Sequence, residues 1–242
     1  MPLAPVERRS VPDDVFDQLV DGIVAGELPA GEALPSERRL SELLGVSRPA
    51  VREALQRLSQ SRLVDTRHGG GSTVQDYREA AGLDLLPHLL VRGDRLDPAV
   101  ARSIVEVRSH AGPQLARLCA DRADEATRAR LLALAGDLDA AEGVTARQDA
   151  ALAFWDAVVA GADNLAYRLL WNTLRATYRT LRDVLAVVMA DEVDDVAGHR
   201  AVADAIVAGD PGAAEGAARS VLGRGTRAAL AVLDAMSKGD DR

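Results

Sequence analysis

Arg48 and Arg52 stand four residues apart, flanked by Ser47 and Pro49, with Arg38 a short distance upstream. A guanidinium presents five N–H donors in a planar fork, a shape that fits guanine O6 and N7 in the major groove and also fits phosphate oxygens. At a spacing of four on a helix, two such groups share one face. From Arg38 to Arg67 the chain carries seven arginines against Glu42, Glu53 and Asp65, although the whole protein is acidic at net charge −8. Phosphate affinity comes from clustered cations, so nonspecific binding by the whole surface is disfavoured while this one segment stands out. A basic cluster alone also fits a solvated helix face or a protein-binding bundle. The surrounding elements decide.

Those elements read as helix, helix, helix and hairpin. Ser10 is a helix cap with Pro12 in the first turn, Val15, Leu19 and Ile23 form one apolar stripe, and Gly26 stops the helix. "LPAGEALP" is a loop. Ser36 caps a second helix whose Leu40, Leu43 and Leu44 are expected to face inward, and Gly45 permits a sharp turn plugged by Val46. Ser47 caps a third helix with Val51, Leu55 and Leu58 on the buried side, which leaves Arg48 and Arg52 outward. Pro49 falls in the first turn, where its missing N–H costs little. Two extended runs around "GGG", from Leu63 to Val74, read as a β-hairpin. The sum is a winged helix-turn-helix over 1–76.

From about Arg78 onward the pattern is helical throughout, with segments near Arg78–Arg92, Asp97–Ala123, Glu125–Glu142, Thr145–Gly161, Leu165–Ala190, Val193–Ala208 and Pro211–Met236. Gln75–Gly82 reads as the linker, and 77–242 as a second, all-helical domain. The composition agrees: 48% apolar but only 3% aromatic residues favour helices built from Ala, Leu and Val. One cysteine, Cys119, excludes an intrachain disulfide, and no apolar run has the length of a signal core or a membrane span. A cytoplasmic protein with no membrane association is expected.

The stretch "GELPAGEALPSERRLSELLGVSRPAVREALQRL" followed by "HGGGSTV" resembles the DNA-binding domain of GntR-type bacterial transcription regulators. The helical remainder, including "VRSHAGPQLARLCADRA", "FWDAVVAGADNLAYRLL" and "HRAVADAIVAGDPGAAEGAARSVL", resembles the ligand-sensing FCD-type domain of the FadR subfamily. The resemblance implies a homodimer that binds a palindromic operator in double-stranded DNA and responds to a small-molecule effector. It implies base or phosphate contacts from Arg38, Ser47, Arg48, Pro49, Ala50 and Arg52, with His68 and Gly69 probing the minor groove from the hairpin tip. A bulky side chain at Gly69 would hold the backbone away from the sugar edge. Many relatives have Thr where this chain has Ala50, so that contact is lost or becomes apolar contact with a thymine methyl.

Many FadR-subfamily sensors hold a divalent metal through one Asp and three His. Here the "DxxFH" ligands are replaced by Ala151 and Trp155 in "AALAFW", His199 is retained, and the fourth position is Val221. One ligand of four cannot hold zinc, so no metal or other cofactor is expected. His199 is then either a pocket hydrogen-bonding group or an ordinary satisfied histidine. Trp155 adds apolar surface, and the metal-free branch of the subfamily senses fatty acids or fatty acyl-CoA, so an acyl chain with an anionic head is the leading effector. Arg108, Arg175 or Tyr178 would bind the head. Against this stands a plainer reading in which Trp155 fills the core and Arg108 and Arg175 are surface residues.

Two other functions would leave their own marks on the sequence. Some GntR relatives carry an aminotransferase-like domain with a pyridoxal phosphate lysine, but the sole lysine here is Lys238 in the polar tail, and no phosphate loop or nucleophile elbow is present. An enzyme is excluded. A regulator responding to a small carboxylate, or a dimeric repressor with no effector, remains open.

Overall fold

The computed structural model describes residues 10–67, 71–92 and 95–240, and the chain forms two compact units, Met1–Arg95 and Leu96–Arg242. In the first unit, α1 (Val11–Val24) starts at a capping box in which the Ser10 side chain accepts from the Asp13 N–H and Asp13 bonds back to Ser10. α2 (Glu37–Leu44) is capped by Ser36, and α3 (Arg48–Gln60) by Ser47. Each cap satisfies a helix-end N–H that has no partner within the helix. Between α2 and α3, Gly45 takes the left-handed conformation at φ +66° and ψ +27°, which an L side chain adopts only at a cost.

The apolar faces of these helices meet in one cluster. Val15, Phe16, Leu19, Val20 and Ile23 of α1 pack with Leu40 of α2 and with Val51, Leu55 and Leu58 of α3. Leu43 departs from expectation: it is 57% exposed, while Leu44 is partly buried. An eight-residue helix turns only one narrow stripe inward, and the stripe here runs through Leu40 and Leu44, which are four apart.

The hairpin consists of β1 (Val64–Arg67) and β2 (Gly71–Val74), antiparallel, with Val64 opposite Val74 and Arg67 opposite Gly71. The loop before α2 is more than a connection. Ala33 bridges Thr73, the Leu34 N–H donates to Ser72 O at 2.7 Å, and the Val74 N–H donates to Glu32 O at 2.9 Å. That loop therefore covers one edge of the wing, which would otherwise offer unpaired backbone groups.

Residues 78–92 do not form the single expected helix. α4 (Tyr77–Ala80) is one turn capped by Asp76, and a 3-10 turn at Leu83–Leu85 leads into α5 (Leu86–Leu90). Two-residue strands, β3 (Val91–Arg92) and β4 (Arg95–Leu96), follow. Gly82 and Pro87 account for the interruptions. Leu85 joins the apolar cluster of the first unit, Tyr77 and Leu89 pack against it, and Phe16 meets the His88 ring edge-on. The compact units accordingly divide at 95/96, where the sequence pattern placed the boundary at 76/77.

The second unit is helical: α6 (Pro98–Arg122), α7 (Glu125–Ala140), α8 (Val144–Gly161), α9 (Leu165–Thr180), α10 (Arg182–Val188), α11 (Ala190–Val193), α12 (Val196–Val207) and α13 (Pro211–Asp240). Leu115, Ala116 and Cys119 of α6, Leu131 of α7, Phe154 and Val158 of α8, Val202 and Ile206 of α12 and Val221 of α13 share its main core. The expected helix Leu165–Ala190 is broken at Leu181 and Met189, neither of them Gly or Pro. Both residues leave the helical region, with Met189 at φ −96° and ψ 6°. Met189 is buried with Leu138, Ala151 and Val193, so tertiary packing sets that break. Arg128 ties three elements together: it donates to the carbonyls of Ala120, Ala123 and Val207 at 2.9–3.2 Å. Among the described residues no helix is long and apolar enough to cross a membrane.

Candidate nucleic-acid interface and effector site

α3 separates its residue types by face. Val51, Ala54, Leu55 and Leu58 are buried, and Arg48, Pro49, Arg52 and Glu53 are exposed. Ser47 is exposed beside them, its hydroxyl accepting from the Ala50 N–H. Ala50 differs from its sequence neighbours: it is 8% exposed, which leaves little of its methyl for a duplex. Arg38 is exposed at the start of α2 and donates to Glu42 Oε1 at 2.6 Å, one turn along the same helix. Arg39 shares Glu42 at 3.5 Å. Arg52 reaches across to α2, where Glu37 accepts from its Nε at 3.1 Å and its Nη2 at 2.7 Å. These bonds hold the Glu37 carboxyl below its usual range. The structure thus brings Arg38, Ser47, Arg48, Pro49 and Arg52 to the exposed ends and faces of α2 and α3. His68 and Gly69 lie outside the described residues.

The second unit holds a cluster of buried polar groups. His199 on α12 is fully buried, and its Nδ1–H donates to Asp195 O at 3.0 Å, the only role open to a nitrogen facing a carbonyl. Its ring meets Phe154 and Trp155 edge-on, with centroids 5.3 and 6.0 Å away. Burial holds the imidazole below its usual range, so the ring is neutral and Nε2 is an acceptor. Arg108 on α6 pairs with Glu192 on α11, a carboxylate only 3% exposed. Burial raises the Glu192 carboxyl, and the Arg108 charge opposes that rise. Tyr178 is half-buried within the field of both; burial pushes its hydroxyl up.

What sets this region apart is what lacks a partner. Among the described residues, Arg108 Nη1, Gln148 Nε2, Trp155 Nε1 and Arg182 Nε are buried donors with no hydrogen bond, and Glu192 Oε2 and His199 Nε2 are buried acceptors with none. Buried polar atoms are nearly always paired, and an unpaired one costs about 1–3 kcal/mol. Six such atoms lie in this one unit. Arg175, by contrast, is engaged elsewhere. Asp156 accepts from Arg168 at 3.0 Å, Trp171 at 2.8 Å and Arg175 at 3.4 Å, which ties α9 to α8. Ala151, Trp155, His199 and Val221, the positions at which the resemblance implies metal ligands in relatives, are all buried. Among the described residues no group of three or more His, Cys, Asp or Glu could hold a metal ion.

Sequence reasoning passed over Glu192 and Gln148. Both sit in ordinary amphipathic contexts, "MADEVDD" and "ARQDAAL", and nothing local marks them as buried. The one available signal was Gln148 at seven residues before Trp155, two turns along the same face.

The model of bacterial regulatory proteins of the gntR family matches residues 12–74, and the FCD domain model matches residues 103–224. The HTH-type transcriptional regulator Mce2R of Mycobacterium tuberculosis (strain CDC 1551 / Oshkosh) is 46% identical over 96% of this chain and 97% of its own. The chain belongs to the GntR family. This GntR regulator carries an FCD effector-binding domain and is not an enzyme. It is also 41% identical to the fatty acid metabolism regulator protein of Vibrio cholerae, over 36% of this chain and 30% of that one. Among solved structures, one described as Lar, which controls the Listeria monocytogenes agr system, superposes with a TM-score of 0.58 over 93% of this chain and 99% of its own, at 16% identity, a likeness of fold.

Proposed function

We propose that this GntR regulator acts as a homodimer on a palindromic operator, reading bases through Arg38, Arg48 and Arg52, with Ser47 and Pro49 against the backbone and His68 and Gly69 at the minor groove. The observation that carries the proposal is the division of α3: its apolar residues are consumed by the core, while Arg48 and Arg52 project from the opposite side at the helix start. A helix presented this way enters the major groove with its first turns against base edges. Two copies on a two-fold axis place their α3 helices about one DNA turn apart. Leu165 and Leu169, four apart and exposed on α9, supply an apolar strip that a second copy would cover.

The effector is an acyl chain with an anionic head, a fatty acid or fatty acyl-CoA. Its anionic head meets the unpaired donors of Arg108, Trp155 and Gln148, with Tyr178 nearby, while His199 lines the site with its ring, since its free Nε2 is an acceptor and cannot bond an ionised head. Three unpaired donors match a carboxylate, which accepts through both oxygens. The apolar residues around them, including Phe154, Met189 and Val193, suit a chain in which each buried CH₂ contributes about 0.8 kcal/mol. Arg175 is left out of this set, being held by Asp156. The relative named as a fatty acid metabolism regulator points the same way. Effector binding changes DNA affinity by favouring one arrangement of the dimer over another.

Selection from random duplexes at modest ionic strength tests the first half. An enriched palindrome is expected, and Arg52→Ala should cost about 1–3 kcal/mol of specific binding. Native mass spectrometry tests the rest through the dimer mass and any co-purified acyl ligand. A protein that enriches no duplex refutes the DNA reading, and one whose melting is unmoved by fatty acids and acyl-CoA refutes the effector.

A further inference from the structure

Arg52 is held by a carboxylate on another helix, and the edge by which it is held matters. Glu37 takes the Nε–H and one Nη2–H, the side of the fork. A guanidinium has five N–H bonds, so the two Nη1–H and the second Nη2–H remain. These form the end of the fork, where Nη1 and Nη2 present two parallel donors pointing away from Cδ. That is the pair which matches guanine O6 and N7. The Arg52 side chain is 61% exposed. Arg38 is held differently, by a carboxylate on its own helix.

We infer that Glu37 is a positioning residue for base readout: it fixes the Arg52 guanidinium so that its free edge is presented to guanine. The inference rests on the reading of Arg52 as a base contact. A free arginine loses rotamer freedom when it docks, and a side chain already fixed loses less. Glu37 also brings a negative charge toward a polyanion, which weakens binding to every sequence alike. The two effects act on different quantities. Fixing the fork raises the preference for the correct base; the charge lowers affinity for all DNA.

The full-length protein is titrated with its selected duplex, with duplexes in which each guanine is replaced in turn, and with a scrambled duplex. Wild type is compared with Arg52→Ala, Glu37→Ala, Glu37→Gln and the double variant. The position read by Arg52 is the one whose replacement ceases to matter in Arg52→Ala. At that position Glu37→Ala is expected to reduce discrimination about tenfold, while affinity for the scrambled duplex stays level or rises. The double variant should match Arg52→Ala alone. Glu37→Gln, which keeps one acceptor and the first-turn packing of α2, should show a smaller fall and guards against a folding defect in the alanine variant. A carboxylate acting only through charge would shift every duplex equally and leave the ratio intact. If Arg52→Ala loses discrimination while both Glu37 variants keep it, the positioning role is overturned and the base contact stands. If Arg52→Ala keeps discrimination at every guanine, both fall.

Discussion

Replacing Gly45 isolates the conformational cost of the turn that orients α3 against α2. A Cβ built at this position meets no atom within 4 Å, so Gly45→Ala adds no steric clash. What remains is the backbone, at φ +66°. Forcing an L residue into that region costs about 1–2 kcal/mol, and the smaller freedom of alanine in the unfolded chain returns a fraction of it. A net loss of about 1 kcal/mol lowers the melting temperature of a unit this size by about 4–8 °C. The assay can assign the loss, because Trp155 and Trp171 both lie in the second unit. Far-ultraviolet circular dichroism follows both units and tryptophan fluorescence only the second. The shift should appear in the former alone. Gly45→Asn should lose less, since asparagine tolerates the left-handed region. An alanine variant that melts with wild type, or an asparagine variant that loses as much as alanine, would refute the reasoning.

Three further outcomes follow from the second unit. Gly161→Ala would bring a methyl to 2.5 Å from Cys119 Sγ and 2.9 Å from Thr127 Cγ2 where α6, α7 and α8 meet; an overpacking loss of about 1–3 kcal/mol is expected in the tryptophan-monitored melt. Burial pushes the Cys119 thiol up to about 12, so Ellman's reagent at pH 8 should find no thiol in the native protein and one per chain in denaturant. His199 is held below its usual value by burial, so the unfolded chain takes up a proton more readily than the folded one. The stability this contributes is present above about pH 6.5 and lost as pH falls through the lowered value. Subtracting the profile of His199→Gln isolates that slope, including from Glu192, whose raised carboxyl gives a slope of opposite sign. A flat difference between pH 7 and pH 5 would contradict it.

Much of the first unit is written locally. Ser10, Ser36, Ser47 and Gly45 end or begin helices through bonds spanning a few residues, and such signals survive in a sequence. The strand bridge from Ala33 to Thr73 does not, because forty residues separate its partners and the loop looks like any other Pro- and Gly-bearing connection. Leu43 misleads for a related reason: three leucines within five residues cannot all face one way on so short a helix. In the second unit, breaks at Gly or Pro are legible, and those at Leu181 and Met189 are set by packing. The effector region shows the limit most clearly. Trp155 and His199 stand out by type, whereas Glu192 becomes notable only when burial joins it to Arg108, and Arg175 looks available until Asp156 is seen to hold it.

Arg128 fastens the end of α6 to the end of α12 with one planar group. Carbonyls at the close of a helix point outward along its axis with nothing left in the chain to answer them. Here two such ends converge on one donor array, so neither can unravel without loosening the other. Lysine at this position would offer a point charge where a broad flat key is required. The two helices have become, at that corner, a single mechanical part.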